Sequence, residues 1–208
     1  MTKKVDTITT VKVDKDILDF LKAIYFGKCS DQIKASSSRA YRDMNRTIRF
    51  NGLSNDVRIE LREEVNELYR KELNNLSSDN INSQEMYDSW HRNVSDRIKA
   101  IYSKEGILLT YGQTQKWINM TIKYLYMIEA NTFDGIFEYL HIPLDNYVFA
   151  VSMDSFGIKR PHKAWSCWDD YDGQYLKYQK IIRDKISDGT PLRWEFRYWL
   201  KEARNIES

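Results

Sequence analysis

A chain of 208 residues with 42% apolar side chains can form one globular domain with a sizeable core, or one domain of two lobes. Its 32 Lys and Arg against 30 Asp and Glu leave a net charge of +2, so bulk charge argues neither for nor against a polyanionic partner. Two cysteines, no signal-like N-terminal stretch and no apolar run near the ~18 to 20 residues of a membrane span exclude a disulfide framework and a membrane partner, and imply a reduced, cytoplasmic setting.

Residues 1–13 are polar and Thr-rich, with a weak strand-like alternation from Ile8 to Val13, and read as a flexible arm. From Asp14 the pattern turns helical. Ile17, Leu18, Leu21 and Ile24 share a face that ends near Gly27. A second helix is expected between Asp31 and Phe50, stopped by Asn51-Gly52. A third carries Val57, Leu61, Val65 and Leu68 and fades into the polar stretch 74–80, the best linker candidate. Asn82 followed by Glu85 reads as a capping-box variant, opening a helix whose seam is Met86, Trp90, Val94, Ile98 and Ile101. Residues 114–128 are apolar on nearly every side, as a central helix requires. Asp145 to Gly157 forms the next helix, N-capped by Asp145. An aromatic loop over 161–172 precedes two closing helices, the last begun by Thr190-Pro191. The fold class is all-α, with about seven helices in a single domain over 14–208 and lobes of approximately 14–104 and 105–208.

Lys116, Asn119 and Lys123 fall three and four residues apart on the central helix, which predicts one polar stripe. An amine buried without a partner is expensive, so such a stripe is expected to face a cleft. The alternative is that the lysines snorkel to solvent along an exposed edge. Asp145, 29 residues after Lys116, sits at the mouth of the following helix. It is either a carboxylate facing that amine or a plain N-cap.

The segment Tyr111-Gly112-Gln113-Thr114-Gln115-Lys116, followed by the helix and then by Ile142-Pro143-Leu144-Asp145-Asn146-Tyr147-Val148, resembles the signature of the helix-hairpin-helix DNA glycosylases. It is most similar to the archaeal 8-oxoguanine glycosylase branch, over roughly residues 105–158. The resemblance implies a two-lobed helical domain with a cleft between the lobes. It also implies excision of an oxidised purine through a lysine Schiff base, strand cleavage by β-elimination, and no metal or organic cofactor. Lys116 stands where that family has its nucleophile, and Asp145 where it has its catalytic carboxylate. Gly112, Gln113 and Thr114 would form the phosphate-binding hairpin, although Thr114 replaces a second glycine. That departure, with the wider spacing from lysine to aspartate, leaves Lys123 as an alternative nucleophile. The chemistry has plain requirements. The base must leave the stack, a neutral amine must reach the anomeric carbon, and a carboxylate at a helix N-terminus must offset the positive charge that develops.

Arg39, Arg42, Arg46 and Arg49 form a basic stripe suited to a phosphate backbone, or a solvated helix face. Trp117, Asn119, His141, Trp165 and Trp168 are the candidate base-pocket residues, since flipped bases are often held against aromatic faces. The same tryptophans suit packing against the closing helices better than a base pocket, since aromatics dominate cores. Trp194, Phe196, Tyr198 and Trp199 read as helix-packing residues, and Cys29 and Cys167 as buried thiols. His91, His141 and His162 form no zinc motif. The expected partner is damaged DNA. The rival is a non-catalytic nucleic-acid-binding or interaction protein that keeps the scaffold, with Lys116 and Lys123 on phosphates and Asp145 only a cap.

Overall fold

The computed structural model describes residues 14–27 and 30–205. The readings of an N-terminal arm and of Cys29 lie outside them. Among the described residues the chain is all-helical, with eight α-helices: α1 Lys15–Phe26, α2 Gln32–Met44, α3 Asn55–Asn74, α4 Gln84–Ser103, α5 Tyr111–Met127, α6 Asn146–Phe156, α7 Lys177–Arg183 and α8 Pro191–Asn205. None is long and apolar enough to cross a membrane.

Local chemistry sets most of the boundaries. Asp14, Asp31, Ser54, Ser83 and Asp145 each accept the amide hydrogen of the residue three positions on, which satisfies one of the orphan donors of a first turn. Thr110 and Gln113 cap α5 reciprocally, a Thr-x-x-Gln signal present in the sequence. Gly157 ends α6 in the left-handed conformation at φ 67°. Three boundaries differ from expectation. α2 stops at Met44 and continues only as a 3-10 turn over Asn45–Thr47. α4 is capped by Ser83 rather than Asn82. The stretch 74–80 is no linker, because Leu76 within it and Ile81 just after it are buried in the core.

α5 is the axis of the molecule, with fourteen of its residues buried from Gly112 to Leu125. α2 packs along it, and α4 and the 165–167 turn cover further faces. Trp117 lies at the centre of a ring of Tyr41, Tyr69 and Tyr102, and its indole N–H donates to the Ser37 carbonyl at 3.1 Å. One continuous core runs from Ala40 to Trp194, crossing the expected lobe boundary at 104/105 without a break. The inner face of α4 is Tyr87, His91, Val94, Ile98 and Tyr102, rotated from the expected seam, and Met86 is exposed. Polar and aromatic partners, not apolar spacing alone, choose that face.

Gly112 is where two segments touch. A Cβ there would sit 1.7 Å from the Trp165 carbonyl oxygen, and the Gly112 amide donates to the Trp168 carbonyl at 2.9 Å. Gly112→Ala is expected to cost about 1 to 3 kcal/mol, because only backbone movement relieves an overpacked backbone contact. Urea denaturation reads this directly, and an unchanged midpoint would contradict the close approach.

Candidate functional site

The Lys116 ammonium lies 2.6 Å from Asp145 Oδ2, with both side chains largely buried at 7% and 16% exposure. The other Asp145 oxygen accepts the Val148 amide at 2.9 Å, so one carboxylate both caps α6 and faces the lysine. The two readings of Asp145 are therefore compatible.

The strap before Asp145 explains how the carboxylate is placed. Ile142, Pro143 and Leu144 are buried without regular structure, so their backbone groups need side-chain partners. Gln115 supplies both for Leu144, donating to its carbonyl at 2.9 Å and accepting its amide at 3.1 Å. Gln179 does the same for Ile142, at 2.7 and 3.2 Å, and Asn119 adds a donor to the Ile142 carbonyl. Pro143 carries no N–H, which removes a donor that would need a partner. Gln115 precedes Lys116 on α5, so the residue that fixes the strap is the neighbour of the amine it delivers Asp145 to.

The pair opens on a cleft of about 270 Å³. Lys116, Met120, Lys123, Tyr124 and Met127 form its α5 side, Glu195, Phe196, Trp199 and Leu200 come from α8, and Tyr25, Arg39 and Asp43 come from α1 and α2. Lys123 is held by both oxygens of Glu195, at 2.7 and 2.6 Å, with its ammonium 4.8 Å from the centre of the Phe196 ring. Burial pushes the Glu195 carboxyl up from its ordinary value, and the Lys123 charge opposes that shift. At the opposite wall Asp43 accepts from Arg39 at 2.9 Å and from the Tyr124 phenol at 2.6 Å. Desolvation, then the hydrogen bond to Asp43, push the Tyr124 phenol up. Arg39 also donates to the Tyr25 hydroxyl at 2.9 Å.

Several expected site residues lie elsewhere. Asn119 is turned away from the cleft, into a buried polar cluster with His91, Tyr175 and Gln115, so the α5 stripe at the cleft has Met120 between Lys116 and Lys123. His141 belongs to that cluster as well, 2.7 Å from both Asp88 and the Tyr175 hydroxyl. Burial pushes both His91 and His141 below the ordinary imidazole value. Trp117, Trp165 and Trp168 are core residues, Trp168 packing on Phe149 and Tyr178. None of these five expected base-pocket residues lines the cleft.

Gly112, Gln113 and Thr114 are buried too. The Gly112 amide is spent on Trp168, the Gln113 amide on Thr110 Oγ1 and the Thr114 amide on the Thr110 carbonyl. With these three amides engaged within the fold, the expectation that Gly112, Gln113 and Thr114 present theirs to a phosphate is not met. Cys167 is exposed rather than buried. Arg42, Arg46 and Arg49 are exposed and make no ion pair with any described residue, whereas Arg39 is turned to Asp43. Because α2 ends at Met44, the four arginines do not form a single helical stripe.

The sequence reading missed Glu195, Trp199, Tyr25, Asp43 and Met120. Glu195 had a legible signal, an acid between Trp194 and Phe196 on the apolar side of a closing helix, where an unpaired charge is costly. Phe196 and Trp199, read as packing residues, are cleft walls. Among the described residues no group of three or more His, Cys, Asp or Glu is gathered as a metal site. Compared with family models, curated proteins and solved structures, the chain has no match in any of the three.

Proposed function

We propose that the cleft receives a base extruded from damaged DNA and that Lys116 attacks its sugar, making the protein a DNA glycosylase with lyase activity. The observation that carries this reading is the 2.6 Å contact of the Lys116 amine with Asp145 at a cleft with aromatic walls. In this reading the helical domain is of the helix-hairpin-helix glycosylase type. The lobe over 14–104 contributes Tyr25, Arg39 and Asp43 to the cleft, and the lobe over 105–208 contributes the remaining walls.

The chemistry follows from the positions. Asp145 Oδ2 takes a proton from Lys116, leaving a neutral amine. Its lone pair forms the Nζ–C1′ bond as the glycosidic bond breaks, and the departing base takes the proton held on Asp145, which is again a carboxylate. Asp145 is then placed to offset the positive charge on the sugar. Transfer of a proton from nitrogen to O4′, relayed by Asp145, breaks the C1′–O4′ bond and leaves a protonated Schiff base, and loss of a 2′ proton to water expels the 3′ phosphate. Met120, Phe196 and Trp199 give the base apolar and aromatic surface, while Glu195 and Lys123 offer an acceptor and a donor for its edge.

Borohydride trapping tests the reading. A covalent adduct with duplexes carrying oxidised purines is the expected result, and its absence across a lesion panel beside retained DNA binding favours the non-catalytic alternative. The observation on that side is the inward-turned amides of Gly112 to Thr114. With those amides engaged, phosphate contacts fall to side chains, and exposed Arg42 and Arg46 are the first candidates. Replacing both with Gln is expected to lower the logarithmic salt slope of duplex binding by about 0.9 per lost contact. An unchanged slope would make the two arginines an ordinary solvated surface.

A further inference from the structure

The segment 158–163, which leaves the C-terminal end of α6, carries Lys159, Arg160, His162 and Lys163, four basic residues in five positions. With Lys177 of α7, three of them line a groove of about 520 Å³ whose apolar floor includes Trp168 and Tyr178. Among the described residues no carboxylate lines it. Of the acids nearby in sequence, Asp169 pairs with Lys99 at 2.6 Å and Asp172 with Arg92 at 2.8 Å, exposed Asp154 lines a separate depression, and Asp170 accepts the amide of groove-lining Gly173 at 2.9 Å. Lys159, Lys163 and Lys177 are exposed and make no ion pair with any described residue. Three lysines gathered with no ion-pair partner among the described residues repel one another, and a ligand carrying several negative charges relieves that repulsion.

We propose that this groove is a second phosphate-binding site, which holds the DNA backbone flanking the nucleotide in the cleft. The assignment rests on the nucleic-acid reading of the cleft. Two features connect the sites. α6, eleven residues and so about 16 Å long, carries Asp145 at its N-cap and the groove segment beyond its other end. Backbone phosphates recur every ~3.4 Å per strand along a duplex, so that span corresponds to about five base pairs. The Trp168 carbonyl accepts the Gly112 amide, tying the groove floor to the first turn of the helix that bears Lys116.

The test compares the full chain with the triple variant Lys159→Gln/Lys163→Gln/Lys177→Gln, measuring anisotropy of a labelled 24-base-pair lesion duplex from 50 to 200 mM salt. The logarithmic salt slope should fall by about 2 to 3, from roughly 0.9 per phosphate contact. The triple Lys→Arg variant should keep the wild-type slope, which separates charge loss from misfolding. Wild-type binding and borohydride trapping, with an unchanged slope in the Gln variant, would overturn the groove and leave the cleft reading standing. A wild-type chain that binds no DNA would overturn both. Binding to phosphatidylserine vesicles that the Gln variant loses, with DNA binding unchanged, would reassign the groove to a lipid surface and overturn the proposal.

Discussion

Lys116→Gln is expected to remove the borohydride-trapped adduct, a loss of at least about a thousandfold in adduct formation, because glutamine has no amine to form the bond. Lesion binding should largely persist, since the walls of the cleft are untouched. On the proposed reading the two candidate amines differ in how they are held. Lys123 is clamped by both oxygens of Glu195, while Lys116 faces a single oxygen of Asp145. The side chains stand about two turns apart on one helix, so both reach the cleft and only one need react. The double variant Lys123→Gln/Glu195→Gln keeps a hydrogen-bonding pair without charge and should still be trapped, with altered lesion preference. Trapping that survives in Lys116→Gln and vanishes in the double variant would exchange the two roles.

Glu195→Ala should destabilise the fold by about 3 to 5 kcal/mol, the cost of stripping one partner from a buried ion pair. The Glu195 side chain is only 1% exposed and Lys123 10%, so the abandoned ammonium has little water to turn to. For a chain of this length the melting temperature should fall by roughly 6 to 20 °C. Replacing both partners with apolar residues, Lys123→Met/Glu195→Leu, should recover most of that loss, because the desolvation cost of both charges disappears. Urea denaturation of the three proteins decides it. A Glu195→Ala loss below about 1 kcal/mol would mean that solvent already screens the pair.

The sequence was most informative where structure is made by neighbours. Asp14, Asp145 and Gly157 cap the helices that their positions imply, because a cap involves only residues three or four apart. The apolar run after Thr114 is the buried axis, since no helix with such a surface is stable in water. The Lys116–Asp145 contact was also legible, because one connection joins the two helix entrances. The α2 boundary was not. Thr47 turns its carbonyl to the Gln113 side chain, a partner 66 positions away that favours a 3-10 turn over a continued helix.

Asn119 shows the limit of periodicity. It shares the α5 stripe with Lys116 and Lys123 by spacing, yet His91, Tyr175 and the Ile142 carbonyl hold it in the opposite cluster. Gly112 was read as a glycine for phosphate and is a glycine for the Trp165 backbone; both uses need a missing Cβ. The amino-acid sequence by itself determined which segments are helical, which helix is buried, and that an amine and a carboxylate enter the fold at adjacent helix starts. Only the tertiary structure decided that Glu195 takes Lys123, that Phe196 and Trp199 wall the cleft, and that the tryptophans of the aromatic loop fill the core. The reason is range: helical periodicity and capping act over a few residues, whereas the partner of a buried charge is chosen by packing, here across 72 positions.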